Sequence, residues 1–242
     1  MAVIEIQGLS VNKRLRELSL SLPASQLIGL IGPNGAGKSS LIQVLAGLLK
    51  YKGQVMLDQQ PLDQLTSRER ARRIGYLPQQ QHSAWALRVA DIVAMGRIPW
   101  GDQDEAAITR AIEGTGIRPL LNKRVDQLSG GQQARVWLAR VLAGQPQLLL
   151  ADEPLASLDI AFQRQILTLF QHYAAQGNTV LVAMHDLNLA ARYCDQLILL
   201  HEGQLMTQGT PAEALTPAHL RQVYQVEARV DFSTQPPMIS LY

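Results

Sequence analysis

Two patterns of apolar residues alternate along the chain. Almost entirely apolar stretches, which are typical of strands buried in a parallel sheet, occur at Leu27–Ile31, Leu148–Ala151 and Thr179–Met184. Elsewhere the apolar residues recur every three or four positions, as on one face of a helix: first Leu41, Val44, Leu45 and Leu48, then Phe162, Ile166, Leu169, Phe170 and Tyr173. This alternation predicts βαβ units and an α/β fold.

The N-terminal and middle parts of the chain depart from this alternation. Two short strands are predicted near the N-terminus, at Val3–Gln7 and Leu18–Leu22. From residue 79 to about residue 127 the sequence shows no convincing strand pattern. Asp104–Gly114 is predicted to be a helix, with Asp102 as its N-terminal cap. We therefore interpret the middle region as a mainly helical insertion.

Length and composition fit a globular protein with one large domain or two small lobes. The 242 residues are 47% hydrophobic and 17% charged, and the formal net charge of +2 gives no reason to expect a nucleic-acid partner. The arginines at positions 68, 70, 72 and 73 are interpreted as a solvated helix face. No stretch approaches the roughly 18 apolar residues of a membrane helix, so another chain is expected to span any membrane.

The segment GPNGAGKS, Gly32–Ser39, matches the phosphate-loop pattern G-x-x-x-x-G-K-[ST]. It lies between a predicted strand and a predicted helix, which is the context that the motif requires. Glycines allow backbone N–H groups to wrap an anion, and the N-terminus of the helix adds a favourable dipole. Lys38 is expected to neutralise the β- and γ-phosphates of a nucleotide, and Ser39 is expected to place its hydroxyl on Mg²⁺.

Polar residues that suit phosphate chemistry follow three other predicted strands. Asp152 and Glu153 come directly after an apolar strand, at the edge where open parallel sheets bind ligands. Asp152 is expected to hold Mg²⁺ through water, and Glu153 is expected to polarise the attacking water. His185 ends another apolar strand and is expected at the same edge. Gln79 could reach metal or water, although its spacing alone favours an ordinary loop glutamine.

A second helix start that contains glycines lies at Ser129–Gln132, SGGQ. Ser129 and Gln132 fit a helix capping box. The capping box does not explain Gly130 and Gly131, because glycine disfavours a helix by roughly 1 kcal/mol relative to alanine. Bare backbone amides at a helix N-terminus suit an anion, so we interpret this stretch as a second anion site.

The motifs GPNGAGKSS, YLPQ, LSGGQ, LLLADEP, SLD and MHD occur in this order. Over about residues 1–225 the chain resembles the nucleotide-binding subunit of an ATP-binding cassette (ABC) transporter, and LSGGQ together with a phosphate loop is highly specific to that family. The resemblance implies a phosphate-loop (RecA-like) α/β ATPase core with N-terminal antiparallel β strands and an inserted helical subdomain. A single ABC ATPase domain would fill residues 1–242, with its core at 1–78 and 132–242 and its helical subdomain at 79–131.

The resemblance also implies roles for individual residues. ATP would be bound by Gly32, Pro33, Asn34, Gly35, Ala36, Gly37, Lys38, Ser39 and Ser40. Mg²⁺ would be held by Ser39, Gln79 and Asp152, and the catalytic residues would be Glu153 and His185. The ATP of a second copy would be bound by Ser129, Gly130, Gly131 and Gln132, with Asp159 in the D-loop.

The resemblance further implies partners, a location and a reaction. A second copy would close head-to-tail on two ATP molecules, permease subunits in the membrane would bind the helical subdomain, and a substrate-binding protein would act indirectly. The chain is expected at the cytoplasmic face of the inner membrane, where it would hydrolyse ATP to ADP and phosphate. VADIVAMGRIP and the C-terminal segment resemble importers of metal chelates. An iron–siderophore is the first expectation for the cargo, with cobalamin or haem as alternatives.

Two other classes of protein fit less well. DNA-repair cassettes contain long coiled coils and translation factors contain two cassettes, and the chain has neither feature. A nucleotide kinase would have no use for LSGGQ. One departure from the family matters for nucleotide binding, because Leu9–Leu18 contains no aromatic residue where cassettes usually stack one on adenine. A second departure is Ala156, at a position of the D-loop that is usually polar.

Overall fold

A computed structural model describes residues 2–79, 86–156 and 158–242. Residues 80–85 of the predicted helical subdomain and Ser157 of the SLD motif lie outside the described residues. The strands in chain order are β1 (Ala2–Val11), β2 (Leu15–Pro23), β3 (Leu27–Ile31), β4 (Lys52–Leu57), β5 (Gln60–Pro61), β6 (Ile74–Leu77), β7 (Leu148–Asp152), β8 (Thr179–Ala183), β9 (Gln196–His201), β10 (Gln204–Gly209), β11 (Ala228–Asp231) and β12 (Met238–Leu241). The α-helices are α1 (Lys38–Leu45), α2 (Ser67–Arg73), α3 (Val89–Ala94), α4 (Glu105–Thr115), α5 (Gly130–Ala143), α6 (Ile160–Ala175), α7 (Leu187–Tyr193), α8 (Pro211–Ala214) and α9 (Pro217–Tyr224).

The central sheet has six strands in the order β10-β9-β3-β8-β7-β6. Five of them run parallel, and only β10 is antiparallel to its neighbour. Every residue of β3, β7 and β8 is buried, as their apolar sequences predict. Because the carboxyl ends of parallel strands share one edge of the sheet, the segments that follow β3, β6, β7 and β8 meet there.

A second, antiparallel sheet has the order β2-β1-β4-β5. Helix α1 lies between the two sheets, since its apolar side chains share one core cluster with β1, β2, β4 and one face of the central sheet. The α/β fold class with N-terminal antiparallel strands is therefore confirmed. Leu48 was predicted on the apolar face of α1, but that prediction is wrong. The helix ends at Leu45, before a left-handed Gly47, and Leu48 is 61% exposed.

The described part of the region between β6 and α5 is mainly helical. It also contains an isolated antiparallel bridge between Arg88 and Arg124. Helix α5 crosses the predicted limit at residue 131, and the division into core and helical subdomain stays a prediction. The predicted cap of α4 is wrong. Asp104 directly precedes the helix and accepts a hydrogen bond from the Ala107 N–H at 3.0 Å. Asp102 instead forms an ion pair with Arg97.

The arginines of α2 do not form a simple solvated face. Arg68 and Arg72 each donate a hydrogen bond from Nε to the Pro99 carbonyl, at 2.8 and 2.9 Å. The Arg72 guanidinium also lies 5.1 Å from the centre of the Trp100 ring, at a distance suited to a cation–π contact. Since residues 99 and 100 belong to the predicted helical subdomain, these arginines connect α2 to it.

Candidate nucleotide-binding and catalytic site

The phosphate loop that follows β3 depends on glycine for its backbone conformation. Gly32, Gly35 and Gly37 have φ angles of 146, 81 and 105°, which residues with a Cβ atom strongly disfavour. A Cβ atom on Gly32 would lie 2.3 Å from the Leu200 carbonyl oxygen. Helix α1 then starts at Lys38 with no side-chain cap among the described residues, so the first N–H groups of the helix are available to an anion.

Lys38 is buried and curls back over the phosphate loop. Its Nζ donates hydrogen bonds to the carbonyl oxygens of Gly32 and Pro33, at 2.7 and 3.1 Å. Desolvation lowers the pKa of Lys38, although the nearby charges of Glu153 and Asp152 act in the opposite direction. The ammonium group therefore lies within the loop that would cradle the phosphates.

Asp152 ends strand β7 beside the start of α1. Its Oδ1 accepts a hydrogen bond from Ser39 Oγ at 3.0 Å. Desolvation raises the pKa of Asp152, as does the charge of Glu153, while the Ser39 hydrogen bond partly offsets them. A hydroxyl and a carboxylate oxygen at this spacing suit Mg²⁺, which also keeps water and phosphate ligands. The described residues contain no group of three or more His, Cys, Asp or Glu that could hold a metal alone.

Glu153 lies at the centre of a small cluster of hydrogen bonds. Its Oε2 accepts a hydrogen bond from Gln79 Nε2 at 2.7 Å, and its Oε1 lies 2.6 Å from His185 Nε2. The Glu153 backbone has a left-handed φ of 50°, an uncommon conformation that turns the chain at the strand end. The structure thus brings together three residues that are far apart in sequence, including the glutamine that spacing alone assigned to an ordinary loop.

The SGGQ stretch forms the predicted capping box at the start of α5. Ser129 Oγ accepts a hydrogen bond from the Gln132 N–H at 3.3 Å, and Gln132 Oε1 accepts one from the Ser129 N–H at 3.2 Å. Asp159 similarly caps α6, accepting a hydrogen bond from the Phe162 N–H at 3.0 Å. None of these residues lines the cavity at the phosphate loop, so their predicted roles toward a second copy stay predictions.

That cavity has a volume of about 270 Å³. It is lined by Lys13, Arg14, Asn34, Gly35, Ala36, Gly37, Lys38, Ser39, Ser40 and Glu153. Sequence reasoning predicted all of these except Lys13 and Arg14, which belong to the turn between β1 and β2. The one available signal was their position in the segment that lacks the usual aromatic residue.

A phosphate loop beside a strand that ends in two acidic residues, on a parallel sheet, defines a phosphate-loop nucleotide-binding protein. The sequence profile of the ABC transporter family matches residues 15–156, and the chain belongs to that family. It is therefore an ATP-binding ATPase whose hydrolysis is coupled to transport. None of the described helices is long and apolar enough to cross a membrane.

Similar proteins and structures are known over most of the chain. The hemin import ATP-binding protein HmuV of Bordetella pertussis is 44% identical over 230 residues, which cover 89% of this chain and 88% of the relative. The HmuV protein of Pseudomonas putida is 41% identical over 241 residues, covering 94% of both. Among solved structures, cbiO1 of Clostridium perfringens, part of the ABC transporter complex cbiONQ, has a TM-score of 0.80 and 27% identity, with 91% of this chain and 93% of that chain covered. An inward-facing ABC transporter assigned to the metal-chelate type has a TM-score of 0.84 over 100% of this chain and 97% of that chain, and its 23% identity supports the fold alone.

Proposed function

We propose that the chain is the ATP-hydrolysing subunit of a metal-chelate importer and that the chelate is haem. The observation that carries the hydrolytic assignment is the cluster in which the Glu153 carboxylate contacts both Gln79 and His185. The cargo is supported by relatives at 41–44% identity that are named for hemin import. They favour the haem alternative over the iron–siderophore that the sequence placed first, and over cobalamin.

The chain's own groups suit the binding of a nucleoside triphosphate. The N–H groups of the phosphate loop and the Lys38 ammonium would hold the phosphates. Ser39 and Asp152 would hold Mg²⁺, with Gln79 as a further oxygen ligand after it leaves Glu153. When bound, the ion neutralises negative charge on the phosphates.

We assign to Glu153 the activation of the attacking water molecule. Its carboxylate is a general base that would orient and deprotonate water for attack on the γ-phosphate. His185, which contacts Glu153 at 2.6 Å, would hold both the carboxylate and the γ-phosphate in place. Since Gln79 Nε2 occupies the other carboxylate oxygen, movement of the segment after β6 would change the position of Glu153.

The assembly that we propose has two copies of this chain. The SGGQ stretch of each copy, Ser129–Gln132, would complete the ATP site of the other, and Asp159 would lie at the same interface. Membrane-spanning permease subunits would bind the helical subdomain, and a binding protein would deliver the chelate to the permease. These partners would hold the chain at the cytoplasmic face of the inner membrane.

The test is ATPase activity of the chain assembled with its permease in liposomes. We expect stimulation by the haem-loaded binding protein, and no comparable stimulation by binding proteins loaded with a ferric siderophore or cobalamin. Glu153→Gln should bind ATP normally and lose hydrolysis by roughly 10²- to 10⁴-fold, the usual contribution of a general base. Wild-type turnover in Glu153→Gln would refute the catalytic assignment. Stimulation by the siderophore alone would refute haem as the cargo and leave the ATPase assignment intact.

A further inference from the structure

Two cationic residues of the β1–β2 turn line the phosphate-loop cavity without any role assigned to them. Lys13 and Arg14 are both exposed and line the cavity with residues 34–40 and Glu153. Within the described part of the chain, neither side chain has a hydrogen-bond or ion-pair partner. Two positively charged side chains without a partner among the described residues therefore border the cavity that would receive the nucleotide.

The backbone of this turn is fixed against the phosphate loop. The Arg16 N–H donates a hydrogen bond to the Gly203 carbonyl at 2.9 Å, and the Gly203 N–H donates one to the Ala36 carbonyl at 3.1 Å. A Cβ atom on Gly203 would lie 2.6 Å from the Arg14 carbonyl oxygen, and one on Gly37 would lie 3.0 Å from it. Because both positions are glycine, the Arg14 backbone can pack directly on the phosphate loop. This packing fixes the point at which the Arg14 side chain leaves the backbone.

The turn offers few groups that could cover the base of a nucleotide. Val11 and Leu15 are committed to the core, at 9% and 2% exposure, and the turn holds no aromatic ring. A guanidinium group is planar and weakly hydrated, and it stacks on aromatic faces, whereas the compact lysine ammonium is strongly hydrated and cannot stack as a plane. Of the two cations, Arg14 is therefore the one suited to a base.

We propose that Arg14 stacks its guanidinium group on the base of the bound nucleotide and so replaces the aromatic ring that this turn lacks. The proposal rests on the assignment of the phosphate loop as the ATP site. It differs from a purely electrostatic role, in which Arg14 would attract the phosphates as any cation would. Stacking requires a base and a planar group, whereas attraction to phosphate requires only charge.

The experiment measures equilibrium binding of two ligands, AMP-PNP and ribose 5-triphosphate. Both have a ribose with a triphosphate chain, imido-bridged in AMP-PNP, and only AMP-PNP has a base, so each affinity is compared with that of the wild type for the same ligand. Arg14→Ala should weaken AMP-PNP binding by roughly 2- to 30-fold, the range of a cation–π contact, and should leave ribose 5-triphosphate binding unchanged. Arg14→Tyr should restore AMP-PNP binding, and Arg14→Lys should restore less of it, because the lysine ammonium cannot stack as a plane. The matched control is Arg16→Ala, because Arg16 is an exposed cation of the same hairpin that does not line this cavity; neither affinity should change.

Two results would overturn the proposal. Equal weakening of both ligands by Arg14→Ala, with recovery in Arg14→Lys, would show a phosphate contact. Unchanged binding of AMP-PNP in Arg14→Ala would show that Arg14 does not contact the nucleotide. Lys38→Ala tests the underlying assignment separately, because it should greatly weaken both ligands. If Lys38→Ala bound both normally, the phosphate loop itself would not be the ATP site.

Discussion

The chain contains two helix starts rich in glycine, and the fold explains only one of them. In the phosphate loop, Gly32 and Gly37 have left-handed φ angles, and added Cβ atoms would lie 2.3 and 2.6 Å from neighbouring atoms. At the start of α5, Gly130 belongs to the helix, and an added Cβ would meet nothing within 4 Å. The backbone therefore requires glycine in the first case, whereas alanine would fit and favour the helix in the second.

This difference shows where the reason for each glycine lies. The phosphate-loop glycines serve a conformation that can be seen within one chain. Gly130 has no such reason, since its helix start is already capped by Ser129 and Gln132. Close approach of a ligand from outside the chain would account for a glycine at the exposed start of α5, in line with the proposal that α5 contacts the ATP of a second copy.

The largest expected effect is that of Gly32→Ala. An alanine at this position would have to adopt a φ of 146°, and its Cβ atom would lie 2.3 Å from the Leu200 carbonyl oxygen. We expect the free energy of unfolding to fall by about 2–4 kcal/mol and ATP binding to be lost. Denaturant unfolding and equilibrium ATP binding measure the two effects. Wild-type stability with normal ATP binding would mean that the loop does not require this conformation.

Gly130→Ala should have the opposite effect on stability. The free energy of unfolding should stay equal or rise by up to about 1 kcal/mol, because alanine favours the helix. ATP binding to single copies should be unchanged, while ATP-driven dimerisation and hydrolysis should fall at least roughly tenfold, as for the loss of a well-placed charge-stabilising contact. Light scattering with ATP and steady-state ATPase assays measure these properties.

The matched control is Gly114→Ala. Gly114 also lies inside a helix, and its added Cβ would come only 3.3 Å from the flexible end of Leu169. Hydrolysis should not change in this variant. If Gly130→Ala instead lost ATP binding to single copies, both helix starts would belong to one site and the comparison would fail.

The sequence predicts which candidate site residues meet at one edge of the sheet, because that placement depends on strand ends. Buried parallel strands are nearly continuous apolar runs, so the ends of β3, β7 and β8 can be recognised without tertiary information. Asp152 is the last residue of β7, Lys38 and His185 follow β3 and β8 closely, and the topology of a parallel sheet places all three at one edge. For Gln79 spacing alone favours an ordinary loop role, since its contact with Glu153 depends on β6 lying next to β7.

Features that depend on long-range contacts were not predicted. Asp102 was assigned to a helix cap, but Arg97 binds its carboxylate at 2.8 Å. The buried Arg97 is itself held by a hydrogen bond to the Ala143 carbonyl, 46 residues away. The C-terminal hairpin of β11 and β12 was missed as well. It is held by Asn188, whose side chain makes two hydrogen bonds to the backbone of Ile239, 51 residues away. Such pairs leave no periodic signal in the sequence.

The smallest expected effect comes from a buried charge, the Asp152 carboxylate beside the phosphate loop. Beside the phosphate loop Asp152 is only 3% exposed, and its carboxyl group has a raised pKa, mainly because of desolvation. A carboxyl group whose pKa is higher in the folded than in the unfolded protein stabilises the fold while protonated, and this contribution is lost as pH rises through the folded pKa. At neutral pH the ionised Asp152 therefore lowers the stability of the nucleotide-free chain.

Asp152→Asn removes that charge, while its side-chain oxygen can still accept the Ser39 hydrogen bond. The nucleotide-free variant should unfold at a slightly higher temperature than the wild type at pH 7, and the difference should shrink as pH falls and the wild-type carboxyl group becomes protonated. Added Mg²⁺ and ATP should reverse the order, because the wild type keeps the carboxylate that we assign to the metal and gains more stability from binding. Thermal unfolding over a pH series, with and without Mg²⁺ and ATP, measures both effects. A variant less stable than the wild type at every pH would show that the carboxylate stabilises the empty site. Burial of this charge beside the phosphate loop would then not destabilise the chain.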